Sequence, residues 1–117
     1  MFKTITETFP YATVAMVVLD KDVEYLNQYA LWRRAEAVIG VHGGSLGGAV
    51  FLSPGQMLIE GFFTCHNNPI PTMFGTIAVS NAAAYRCAQC YSGGQDGMKY
   101  GCNIHIDEVI SALREIF

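Results

Sequence analysis

The period of the apolar residues along this 117-residue chain changes several times, and each change marks an element. Thr13 to Leu19 is an unbroken apolar run bounded by Asp20, the pattern of a strand covered on both faces, and it predicts a central parallel strand. From Asp22 to Ala35 the residues Val23, Leu26 and Ala30, joined by Tyr29, fall at helical spacing, and Asp22 suits the positive end of such a helix. Ala37 to Val41 reads as the next strand and Gln56 to Ile59 as another, ending on Glu60. Between them, Gly43, Gly44, Gly47 and Gly48 predict a tight corner followed by a short helix that stops at Ser53-Pro54-Gly55.

On either side of this unit the pattern is plainer. Met1 to Thr8 is polar and mixed, an arm or a partial element, and Phe9-Pro10-Tyr11 makes an extended entry. Phe62 to Pro71 reads as a loop, and Thr72 to Ala84 as a helix with Met73, Ile77 and Ala84 on its buried stripe. Tyr85 to Tyr91 reads as a strand and Ser92 to Gly101 as a glycine-rich loop. Asp107 to Phe117 is a terminal helix whose Val109, Ile110, Leu113, Ile116 and Phe117 form one apolar face. The sum is an α/β fold, a Rossmann-like, mostly parallel sheet flanked by helices. Residues 1–117 form one domain, with a core over 9–62 and a C-terminal part over 63–117.

The corner after Val41 carries the candidate chemistry. A strand that turns sharply into a helix leaves backbone N–H groups unpaired at the positive end of the helix dipole, a site for an anion such as a diphosphate. Gly47 and Gly48 each cost about 1 kcal/mol relative to alanine near a first helical turn. Either a ligand approaching the backbone or tight packing of the helix accounts for them. In sheets of this kind ligands bind beyond the carboxyl ends of the strands, and both His42 and Glu60 fall at such ends. Taken alone, His42 either bonds a neighbouring carbonyl or touches a ligand, and Glu60 is either a solvated strand-end acid or an acceptor for ribose hydroxyls.

The run His42-Gly43-Gly44-Ser45-Leu46, followed by Ala49-Val50-Phe51-Leu52-Ser53-Pro54-Gly55 and then Leu58-Ile59-Glu60, resembles glycosyltransferase family 61. That family shows His-Gly-Ala-Gly-Leu, a small connector, Leu-Phe-x-Pro-Pro-Gly and a strand closing on Glu, and the spacing matches without a gap. Upstream, Asn27-Gln28 and Ala35-Glu36-Ala37-Val38-Ile39-Gly40 resemble the helix and strand that precede this run. The similarity spans about Phe9 to Glu60. Ser45 stands where the family usually has a second glycine, Gly48 where it often has Asn, and Ser53 where it has the first proline. A serine at the first of these positions can cap the helix and donate to a phosphate oxygen.

The resemblance implies a lobe of a GT-B type enzyme that binds a nucleotide sugar, a UDP-sugar, for inverting transfer to a glycan or protein hydroxyl. It implies no obligatory metal and no cofactor. It assigns donor binding to His42, Gly43, Gly44, Ser45, Leu46 and Glu60, with His42 contacting the diphosphate or the sugar and stabilising the leaving diphosphate. The base that activates the acceptor is left to a missing N-terminal lobe, so the chain reads as a fragment with no assigned catalytic residue.

Composition narrows the field. A net charge of -3 with only seven Lys plus Arg excludes nucleic acid and an anionic membrane surface as partners, and the basic pair Arg33-Arg34 reads as solvated. Met1 to Glu7 has neither the basic start nor the apolar run of a signal peptide. Ala37 to Ile59 carries no formal charge, but His42, Ser45, Ser53 and Gln56, the glycines and the Pro54-Gly55 break make it a poor bilayer span. The family context places the chain in the secretory lumen if eukaryotic and in the cytoplasm if bacterial. Four cysteines leave three states open. Cys87-x-x-Cys90 with Cys102-x-x-His105 has the spacing of a zinc site, a disulfide from Cys102 to Cys87 or Cys90 competes with it, and free thiols are the third. Two other functions therefore stand beside the transferase: a non-catalytic nucleotide-binding module and a zinc-stabilised interaction domain.

Overall fold

The computed structural model describes residues 1–17, 24–66, 72–91 and 102–117. Three parallel strands, β1 (Ala37–Val41), β2 (Met57–Phe62) and β3 (Ala84–Tyr91), lie side by side in chain order, and the short β4 (Asn103–Ile104) joins β3 antiparallel. The sheet is thus mixed, and it curls into a half-barrel. Residues one apart on a strand face opposite ways, and the register aligns them across the sheet. Val38, Gly40, Leu58, Glu60, Tyr85 and Cys87 share one face; Ile39, Met57, Ile59, Ala84, Arg86 and Ala88 share the other.

The Rossmann-like sheet predicted from the sequence, and with it the GT-B lobe, is not what forms. The β1–β2 connection is a 3₁₀ helix (Gly44–Phe51) and the β2–β3 connection is the α-helix α3 (Met73–Ser80). These two pack on each other and share one core of Trp32, Leu46, Ala49, Leu52, Leu58, Phe74 and Ala78. Strand order therefore never reverses among the described residues, so the crevice that a doubly wound sheet opens at its reversal point is missing. Likeness to a Rossmann-like fold is correspondingly weak.

The expected central strand is the element that fails. Residues 13–17 form no strand, and Val18 and Leu19 lie outside the described residues. Ala12 and Val14 instead pack onto the second core, where α1 (Phe2–Thr8) and α4 (Ile106–Leu113) cover the other face through Ile5, Phe9, Val109, Ala112 and Leu113. An apolar run becomes a strand only where a sheet edge receives it; here it is used as packing against helices, and β1 is left at the edge.

The helix stripes differ from expectation as well. In α2 (Tyr25–Arg34) the buried residue is Trp32, at 3% exposure, while Leu26 is 72% exposed. Trp32 lies so close to Gly48 that a Cβ there would fall 2.0 Å from the indole nitrogen. Gly48 is thus explained by packing against a helix, whereas a Cβ on Gly47 would meet nothing. In α3 the buried positions are Phe74, Gly75 and Ala78, with Met73 exposed.

Two local devices fix the loops that carry the strands. Ser53-Pro54-Gly55-Gln56 closes through Gln56 N–H to Ser53 O at 3.2 Å with Gly55 at φ 92°, the conformation of a type II turn. The buried Gln56 side chain then donates to Trp32 O at 2.8 Å and Ala35 O at 2.7 Å, and accepts from Ser53 N at 2.9 Å. One amide thereby satisfies the end of α2 and the turn before β2. At the end of α3, Ala83 N–H reaches Ala78 O and Ala82 N–H reaches Val79 O, a Schellman arrangement with Ala82 at φ 60° in the position that favours glycine.

The cysteines form two disulfides, Cys65–Cys87 and Cys90–Cys102. The first pins the turn after β2 to β3, and the second pins β3 to the start of β4. Cys87 and Cys90 are three apart on a strand and so face opposite ways, which removes the geometry a shared zinc ion needs. Of the two pairings the sequence offered for Cys102, the one with Cys90 forms, while Cys87 takes the partner Cys65. Further ties bind α4 and the residues after it to β3 and its neighbouring turn: Arg86 grips Glu115 through two bonds of 2.8 and 2.5 Å, and Glu108 bonds His66 at 2.6 Å.

Two stability measurements check these devices. Gln56→Ala leaves buried carbonyls without donors and should lower the unfolding free energy by about 2–3 kcal/mol in urea titration. Ala82→Gly relieves the left-handed strain and should raise it by about 1 kcal/mol.

Candidate functional site

Glu60 is the fourth residue of β2, and its side chain has no exposed surface at all. An acid taken out of water needs donors, and the fold supplies three. His42, one residue past the end of β1, places Nδ1 at 2.6 Å from Oε2. The Tyr85 hydroxyl on β3 donates to Oε1 at 2.7 Å, and the Thr72 hydroxyl donates to the same oxygen.

Each donor is placed by a distinct local cause. The β1–β2 ladder continues one step beyond Val41, with His42 N–H bonded to Gly61 O at 2.9 Å, so His42 keeps the facing of Val38 and Gly40, toward Glu60. Thr72 is the N-cap of α3: its Oγ1 accepts from Gly75 N–H at 3.1 Å, and its single hydrogen is left for Glu60. Tyr85 reaches in beneath α3 because Gly75 lacks a side chain; a Cβ there would lie 2.7 Å from the phenol ring. Burial, reinforced by the Glu60 bond, pushes the Tyr85 phenol far above its ordinary range, so the hydroxyl remains a donor.

The His42 ring is held between aromatic neighbours, Phe62 at 4.5 Å and Phe74 at 5.4 Å between centroids, and its side chain keeps 32% of its surface exposed. Nδ1 is committed to Glu60, while Nε2 has no protein partner among the described residues. Beside it runs the glycine corner. Gly43 O accepts from Leu46 N–H at 3.0 Å, but the N–H groups of Gly43, Gly44 and Ser45 have no acceptor among the described residues, and Gly44 is exposed. The Ser45 side chain lies outside the described residues. Leu46 is only 2% exposed and belongs to the core, anchoring the corner from below.

The structure thus brings His42 and Glu60 together at the carboxyl edge of the parallel strands and sets Gly43, Gly44 and the Ser45 backbone next to them. Glu60 is no exposed strand-end acid: both its oxygens are occupied, and it orients His42. The sequence pattern puts Thr72 and Tyr85 on a helix and a strand without chemistry. Thr72 opens the predicted helix, which marks it as a cap, but no spacing in the sequence ties it or Tyr85 to Glu60. The 3₁₀ geometry also means that the corner leads into a tighter helix than an α-helix.

The shifted phenol gives a pH test. An unfolded tyrosine ionises near pH 10, and between there and the higher native value the unfolded state holds fewer protons, so stability falls as pH rises. Tyr85→Phe should flatten the loss of stability between about pH 10 and 12 in urea titrations, although it lowers stability at neutral pH. Set beside known protein families, curated proteins and solved structures, the chain matches none of them.

Proposed function

We propose that this chain provides the nucleotide-sugar site of a sugar transferase resembling family 61, holding a UDP-sugar at the corner after β1 for inverting transfer to a glycan or protein hydroxyl. One observation carries the reading. The two polar ends of the stretch that bears the resemblance, His42 and Glu60, stand 18 residues apart in sequence and 2.6 Å apart in space.

The neighbouring backbone fits the same ligand. Amides of Gly43, Gly44 and Ser45, without acceptors among the described residues, suit the oxygens of a diphosphate, and they lie at the start of the 3₁₀ helix. In this reading the acceptor and the group that activates it come from an N-terminal lobe. The two disulfides favour an oxidising compartment, in keeping with a secretory lumen. They also weigh against the zinc-stabilised interaction domain, whose ligands they consume.

Calorimetric titration of UDP into the chain tests the proposal. A single site is expected, weakened about tenfold or more by His42→Ala, with the circular dichroism of the variant unchanged. Absence of UDP binding to the wild-type chain would overturn the reading. A chain that binds UDP yet supports no transfer when an N-terminal lobe is supplied would instead be the non-catalytic module.

A further inference from the structure

With Glu60 as the carboxylate, the hydrogens around it can be counted, and the count says which ring nitrogen of His42 carries the hydrogen between them. Oε1 receives the Tyr85 hydroxyl at 2.7 Å and the Thr72 hydroxyl as well. Neither hydroxyl has its hydrogen to spare for another partner: the Thr72 oxygen accepts from Gly75 N–H, and the Tyr85 phenol stays protonated. A carboxylate with two donors on one oxygen is an acceptor at the other, so the hydrogen between Oε2 and His42 belongs to Nδ1. In the neutral ring the lone pair is then on Nε2.

In the neutral ring that assignment decides what kind of group His42 can bind. An unprotonated Nε2 cannot donate to a phosphate oxygen, but it accepts from a hydroxyl. The ring is ready to do so, since it is clamped by Phe62 and Phe74, retains 32% of its surface, and has no protein partner at Nε2 among the described residues. We propose that His42 recognises a hydroxyl of the nucleotide sugar, on the ribose or on the transferred sugar, and leaves the diphosphate to the amides of Gly43, Gly44 and Ser45. This rests on the nucleotide-sugar reading above and names the part of the ligand that His42 reads. Glu60, Thr72 and Tyr85 are positioning residues that hold the tautomer.

Nitrogen NMR of the chain labelled at histidine tests it, at about pH 8, above the ordinary imidazole range. The free chain should show His42 protonated at Nδ1 and bare at Nε2. UDP, or UDP-N-acetylglucosamine, should then shift Nε2, while inorganic diphosphate should leave it in place. A shift with UDP alone assigns the contact to the ribose; a shift that needs the sugar nucleotide assigns it to the sugar. Glu60→Gln keeps its oxygen on the Tyr85 and Thr72 hydroxyls and turns its amide NH2 to Nδ1, so the ring should switch to Nε2–H and the sugar nucleotide should weaken about tenfold, a change that a purely structural Glu60 would not link to the ring nitrogens. His42 protonated at Nε2, a shift of Nε2 by diphosphate alone, or UDP binding with Nε2 unmoved by either nucleotide would each overturn this inference and leave the donor site standing. If neither nucleotide binds, both readings fall.

Discussion

A carboxylate with no contact with water constrains more of this protein than any other group. Burying Glu60 is costly unless its oxygens are supplied with donors, and the donors come from three separate elements: the end of β1, the cap of α3 and the first half of β3. Each must arrive in register. A one-residue slip of β1 against β2 would turn His42 to the opposite face, and a later start of α3 would remove the Thr72 hydroxyl. The same bonds that make the burial tolerable therefore align the sheet and aim the histidine.

Around this network the chain is built asymmetrically. One face of the sheet carries both crossovers, locked by the fit of Trp32 over Gly48 and by Gln56, which joins the end of α2 to the turn before β2. The opposite face carries the two terminal helices. Because the strands keep chain order, no central crevice opens among the described residues, and the candidate site lies at the rim formed by His42 and the glycine corner, where the strand ladder of β1 gives out.

The C-terminal half holds that rim in place. Phe62, which flanks the His42 ring, leads into the turn whose Cys65 is joined to Cys87, the residue opposite Glu60 in the register. A loop of about 20 residues closed by a disulfide loses on the order of 3 kcal/mol of unfolded-state freedom. The second disulfide fastens β3 to the residue before β4, and the Arg86–Glu115 pair fastens it to the C-terminal turn. The site is thus bounded by covalent and ionic ties on the side away from the corner.

Much of this was already written in local sequence. The strands near residues 37–41, 57–62 and 84–91, the helices before and after them, and the corner between Val41 and Pro54 arise from apolar period, glycine and proline, because those features act over a few bonds. His42 and Glu60 stood out by their positions at strand ends. Local pattern had no means of settling whether Thr13 to Val17 would meet a sheet edge or a helix pair, which cysteines would pair, or that Trp32 would need Gly48. Nor did it show that Glu60 would be sealed from water by a threonine and a tyrosine 12 and 25 residues further on. Those outcomes depend on which surfaces come into contact once the strands lie in order, and a group's hydration and hydrogen-bond partners are properties of that contact rather than of the residue's neighbours along the chain.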